Sequence, residues 1–102
     1  MTEWKVVRTQ SEGAKLIAVE RERQIEKEGW TAEHDEQHSR FELARAALCY
    51  LEYATSGRAL LSVPKKWPWD SKWWKPKNPL RDLVRAGALI AAEIDRRIID
   101  GV

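Results

Sequence analysis

The chain has 102 residues, of which 33% are charged, yet its net charge is only +2 and it holds a single cysteine, Cys49. That length sets the expectation of one domain spanning residues 1–102. The near-neutral balance argues against a general nucleic-acid binder, which would carry a basic stripe, and one thiol excludes an internal disulfide framework.

No stretch approaches the ~20 apolar residues of a membrane span. Met1-Thr-Glu-Trp-Lys5 leads into polar sequence rather than a signal peptide. The expectation is a cytoplasmic protein with no membrane partner.

In chain order, Trp4 to Arg8 reads as a short strand or an extended arm. Thr9-Gln-Ser-Glu12 has capping-box spacing. It predicts a helix running to about Glu28, with Leu16, Ile17 and Ile25 as a thin apolar stripe and Gly29 as the stop. Trp30 to His38 is a polar connection. Ser39-Arg-Phe-Glu42 is a second capping box. It predicts a helix ending near Ala54 to Gly57, in which Phe41, Ala44, Leu48 and Leu51 form the buried stripe and Leu43, Ala47 and Tyr50 widen it. Cys49 falls in this apolar run and reads as an inert buried thiol.

Leu60 to Val63 is ambiguous. Pro64, Pro68, Pro76 and Pro79 then break any long helix. Asn78-Pro79 is a cap followed by proline at the first helical position. The last helix is predicted over about Pro79 to Ile99, with Leu83, Gly87, Ile90, Ile94 and Ile98 along one face. The sum is an all-α, three-helix domain with a long Trp/Pro/Lys-rich loop between its second and third helices.

That loop is the feature of greatest interest. Four of the six tryptophans, Trp67, Trp69, Trp73 and Trp74, fall within eight residues, among Lys65, Lys66, Lys72, Lys75 and Lys77. Aromatic faces beside cations hold planar anionic ligands or anchor protein interfaces. In a chain this short the same rings also serve to roof a small core.

Arg81 and Arg85 lie one turn apart near an electropositive helix N-terminus, with Lys75 and Lys77 just upstream, an arrangement suited to phosphate. The competing reading is ion pairing with the acidic first half. Glu20 to Glu42 carries eight acids against four bases, and Pro64 to Arg85 carries seven bases against Asp70 and Asp82. Such halves neutralise each other within one fold or pair between subunits as a homo-oligomer.

His34-Asp-Glu-Gln-His38 approaches the His-Glu-x-x-His of zinc proteases. However, Asp35 is one methylene short of the required glutamate, and the motif precedes a helix cap rather than lying inside a helix. Surface histidines that cap or pair, or that touch a ligand, are the better readings. Glu42, Glu52, Asp82, Glu93 and Asp95 are the carboxylates available for a magnesium-dependent nucleotide hydrolase. The paired Glu-x-x-Glu spacing of that superfamily is absent. No catalytic residue, metal ligand or cofactor is therefore assigned.

The strings Glu20-Arg-Glu-Arg-Gln-Ile, Glu28-Gly-Trp-Thr-Ala-Glu-His-Asp35, Trp67-Pro-Trp69, Trp73-Trp-Lys-Pro76 and Arg81-Asp-Leu-Val-Arg-Ala-Gly-Ala-Leu-Ile90, together with His38 and Glu42-Leu-Ala, resemble a widespread group of small phage and prophage proteins. Glu28-Gly-Trp-Thr31, Asp35, His38 and Arg81 also resemble the ryanodine-receptor repeat domain. The chain departs from that pattern at Ala32-Glu33, where the family has Tyr-Gly, and at Leu80, where it has Asp before the Arg. No Pro follows His38. These resemblances imply a helical accessory protein with a site for adenine-nucleotide-like ligands.

The expected function is capture of a nucleotide-type immune signal, a cyclic nucleotide or ADP-ribose relative, which blunts bacterial defence. In that picture Trp30, Trp67, Trp69, Trp73 and Trp74 supply stacking faces, Lys75, Arg81 and Arg85 hold phosphates, and His34, Asp35 and His38 contact the remaining polar edge. The alternatives are a protein-binding inhibitor of a host defence complex, anti-CRISPR-like, and a small metal-dependent nucleotide hydrolase.

Overall fold

A computed structural model describes residues 11–28, 41–56 and 63–101. It contains α1 (Glu12–Glu28), α2 (Glu42–Ser56), a single 3-10 turn (Ser71–Trp73) and α3 (Pro79–Asp100). The three-helix, all-α expectation holds, and 63–78 is the irregular Trp segment. The N-terminal strand, Thr9, Gly29, Trp30, His34, Asp35, His38 and Ser39 lie outside the described residues.

α3 is the central element and contacts both other helices. Its start is set by Asn78, whose side chain accepts the Arg81 N–H at 2.9 Å, with Pro79 in the first turn. Its end is set by Gly101 at φ 81°, whose N–H bonds back to the Arg97 and Ile98 carbonyls. α1 is capped by Ser11, whose hydroxyl accepts the Ala14 N–H at 3.1 Å, so the working cap is two residues later than the Thr9 box proposes. α2 begins after Phe41, which sits at φ 68°, a left-handed backbone that bulky side chains rarely adopt.

α2 runs antiparallel to α3. Phe41 at its start stacks on Arg97 near the end of α3, and Tyr50, further along, stacks on Arg85. Between them Leu43, Ala46, Ala47, Cys49 and Tyr50 meet Ala86, Leu89 and Ala92. The alanines keep both helices slim and let their axes approach.

The two apolar stripes expected from the sequence divide: Leu43, Ala47 and Tyr50 of α2 are buried as expected and Gly87 of α3 meets Ile17, but the larger aliphatic residues face out. On α2, Phe41, Leu48 and Leu51 are exposed. On α3, Leu80, Leu83, Ile90, Ile94 and Ile98 are exposed, while Asp82, Glu93 and Arg96 are buried. The inversion has a physical cause. The buried face of α3 carries charges that find partners, so polarity no longer marks the solvent side. Arg96 grips both Glu93 oxygens (3.0 and 2.9 Å) and reaches Asp100 at 2.7 Å. Asp82, wholly buried, accepts the Lys77 N–H at 2.9 Å.

α1 crosses α3 rather than running along it. Its adjacent residues Glu20 and Arg21 pair with Arg81 and Asp95, points about 21 Å apart along the α3 axis. The crossing falls at Gly87, where a Cβ would lie 2.6 Å from Ile17 Cδ1 and 2.9 Å from Ile17 Cγ1. Leu16 and Ile25, expected in the buried stripe, are exposed, and Glu20, Arg21 and Gln24 are buried instead. Gly87→Ala should therefore lower stability by about 1 kcal/mol, overpacking outweighing the helix-propensity gain. In an Ile17→Ala background the same substitution should become stabilising. A double-mutant cycle by chemical denaturation measures the sign change.

Candidate functional site

The Trp segment folds over the open end of the α2–α3 pair. Trp67 Nε1 donates to the Asp70 carbonyl at 3.1 Å. Asp70 Oδ1 accepts the Lys72 N–H at 2.9 Å and so caps the 3-10 turn. The Lys75 N–H donates to the Tyr50 hydroxyl at 3.3 Å. These bonds tie a proline-broken strand of backbone to the core without a ladder of its own.

The rings divide into two groups. Trp67 is buried, 9% exposed, and packs edge-on to Tyr50 and Trp69 with centroids 5.6 and 5.4 Å away. Trp74 lies against Tyr50 at 4.7 Å, Trp67 at 5.0 Å and Tyr53 at 5.6 Å. Trp67 and Trp74 are thus packing residues, with Trp69 beside them. Trp73 is different. It is 49% exposed, with the Lys72 and Lys75 ammonium groups 5.4 and 5.6 Å from its ring centroid.

Beneath Trp69 and Trp73 lies a cavity of about 70 Å³. Its walls are Tyr50, Trp67, Trp69, Trp73 and Leu89; its polar lining is Glu20, Arg23, Gln24, Lys75 and Arg85. Among the sequence-predicted site residues the structure brings Trp67, Trp69, Trp73, Lys75 and Arg85 together here. Trp74 and Arg81 do not line it. Arg81 pairs with Glu20, the ion-pair reading rather than the phosphate one. Arg85 donates to the Lys75 carbonyl and lies 5.7 Å over the Tyr50 ring.

Glu20 and Gln24 were not anticipated as site residues. Glu20 is 1% exposed and bound bidentately by Arg23 (2.9 and 3.0 Å) as well as by Arg81. Burial pushes its carboxyl up, but the two guanidiniums outweigh that, and its pKa lies below the ordinary 4.5. Gln24, one turn on, is 2% exposed. Its Nε2 donates to Glu20 Oε2 at 3.5 Å, and its Oε1 has no hydrogen-bond partner; neither does Arg85 Nε. Both residues line the cavity. The signal in the sequence was the i, i+4 pair Glu20 and Gln24 on an otherwise solvated-looking helix, but only the position of Arg81 on another helix turns that face inward.

Among the described residues no group of three or more His, Cys, Asp or Glu is placed to hold a metal ion. Three of the five carboxylates considered for magnesium are otherwise engaged: Glu93 by Arg96 and Arg97, Asp95 by Arg21, Asp82 by the Lys77 N–H. No described helix is long and apolar enough to cross a membrane. No protein-family model matches the chain, and neither a curated protein nor a solved structure does so.

Two of the buried acids, Glu20 and Glu93, give the fold an acid limit. Glu93 is held below the ordinary 4.5 chiefly by its bonds to Arg96, against the opposing effect of burial. A depressed folded-state pKa contributes stability that is present above the unfolded value and is lost as pH falls through the folded one. Melting temperature should therefore fall progressively below about pH 4.5. Glu20→Gln should lower stability at pH 7 and flatten that acid limb, measured by circular dichroism melts between pH 7 and 3.

Proposed function

We propose that this chain is a non-catalytic binding protein that captures an anionic, planar ligand of nucleotide type at the Trp-roofed cavity. The observation that carries the proposal is the coincidence, around one small recess, of aromatic walls and two lining residues, Gln24 and Arg85, each of which has a buried polar atom without a partner (Oε1 and Nε). An orphaned buried donor or acceptor costs about 1–3 kcal/mol, which a bound ligand that pairs with it recovers. Arg23, Lys75 and Arg85 line the recess with Glu20; Arg23 pairs with Glu20, so Lys75 and Arg85 leave the surplus positive.

The resemblance to small phage proteins supports a sharper form of the proposal. The ligand is a nucleotide immune signal, cyclic or ADP-ribose-like, and its sequestration in the bacterial cytoplasm inhibits defence. Trp73 is the exposed stacking face and Lys72 and Lys75 the phosphate partners. Titration with a panel of cyclic and ADP-ribose-type nucleotides should quench or shift tryptophan emission. Trp73→Ala should weaken binding about fivefold to a hundredfold, the range for loss of one stacked base. Silence across the whole panel sinks the proposal.

A second reading, inhibition of a host defence complex by direct protein binding, is favoured by a separate observation. Leu80, Leu83, Ile90, Ile94 and Ile98 are exposed along α3, on either side of the α1 crossing, and clustered apolar surface marks interaction sites. Under this reading a pull-down from host lysate recovers one dominant protein, and Ile90→Glu with Ile94→Glu abolishes the recovery while leaving the nucleotide response intact.

A further inference from the structure

We infer that the cavity receives the hydrogen-bonding edge of a nucleobase and that the ligand's phosphates stay outside it, on Lys72 and Lys75. The inference rests on the nucleotide-capture proposal and assigns Gln24 as its specificity-determining residue.

The amide orientation of Gln24 is fixed by its neighbour. Nε2 donates to Glu20 Oε2; the flipped amide would set its oxygen against a carboxylate oxygen, acceptor against acceptor. Oε1 is therefore the atom left unpaired, and it demands a donor from the ligand. Arg85 Nε, also unpaired, demands an acceptor. A phosphodiester or a fully ionised phosphate monoester carries acceptors alone, and any phosphate would bring negative charge against both Gln24 Oε1 and the Glu20 carboxylate. A base edge carries both kinds of group, an amino group beside a ring nitrogen or an imino N–H beside a carbonyl.

Size points the same way. A dry cavity that takes up benzene measures about 150 Å³, twice the roughly 70 Å³ found here. Only the leading edge of a ring enters, and the ring face remains against the indoles at the mouth. That leaves the sugar and phosphate in solvent beside exposed Trp73, where Lys72 and Lys75 already stand within 6 Å of the ring centroid.

Calorimetric titration of the whole chain with nucleosides separates the edge from the phosphate. Adenosine or uridine should bind. The counterpart lacking the edge donor, purine riboside or 3-methyluridine, should bind about tenfold more weakly, the effect of one unpaired buried group. Gln24→Met, which keeps the volume and removes the amide, should erase that preference. Lys72→Ala, at a residue that does not line the cavity, should weaken AMP or UMP and leave the nucleosides unchanged. Inorganic phosphate should not compete with adenosine or uridine.

Equal affinity for a nucleoside and its donor-less counterpart overturns the inference, as does competition by phosphate. If nucleotides bind but nucleosides do not, the edge assignment falls while nucleotide capture stands. If neither binds, the recess is a water site and both fall. The comparison between nucleosides uses the unaltered chain, so it decides the matter even where Gln24→Met does not fold.

Discussion

The Glu20 carboxylate, sealed between Arg23 and Arg81, is the interaction on which the rest of the molecule depends. It joins α1 to α3 with charge where most small helical proteins would use aliphatic packing. Desolvating an ion pair costs several kcal/mol per ion, and only good geometry with additional hydrogen bonds offsets it. Here the geometry is met: both Glu20 oxygens are engaged by Arg23, one is shared with Arg81, and Gln24 supplies a further donor. The arrangement stabilises less than a well-packed leucine cluster would, but it fixes where α1 crosses α3. A slide by one turn would strand a buried carboxylate.

That fixed crossing is what makes the recess. α1 brings Glu20, Arg23 and Gln24 to one side, α3 brings Arg85 and Leu89, and the Trp segment closes the top with Trp67, Trp69 and Trp73. The segment carries no regular structure beyond one 3-10 turn, so its shape is set by ring packing against Tyr50 and by a few hydrogen bonds to side chains. Trp67 and Trp74 spend their surface on that packing. Trp73, held only at its backbone and flanked by two ammonium groups, is the ring that remains presented to solvent. A single run of four tryptophans thus separates into packed rings and one ring open to solvent.

Helix ends were readable where local chemistry decides them. Asn78-Pro79 marks the start of α3 without reference to anything distant, and α2 ends within the stretch its composition indicates. The direction of the faces was not readable. Periodicity finds the stripe Leu83, Ile90, Ile94 and Ile98 on α3, but the core selects another side, where Ala86, Ala88, Leu89 and Ala92 fit closely, Glu93 and Arg96 pair with each other, and Asp82 accepts the Lys77 N–H through one of its oxygens. A helix whose alanines pack and whose isoleucines face water inverts the usual inference. For the site, aromatic and basic content pointed to Trp67, Trp69, Trp73, Lys75 and Arg85. It missed Gln24, because a lone glutamine among charges carries no pattern until Glu20 turns it inward.

Cys49 gives the fold a built-in clock. Its thiol is 1% exposed within the α2–α3 interface, and burial raises its pKa above the ordinary 9.0, so the thiolate that alkylating reagents attack scarcely exists in the closed state. Labelling must wait for α2 to lift from α3. With no other cysteine in the chain, the rate of modification reads that opening directly, residue by residue unambiguous, and separates motion of the helical pair from motion of the indole roof above it.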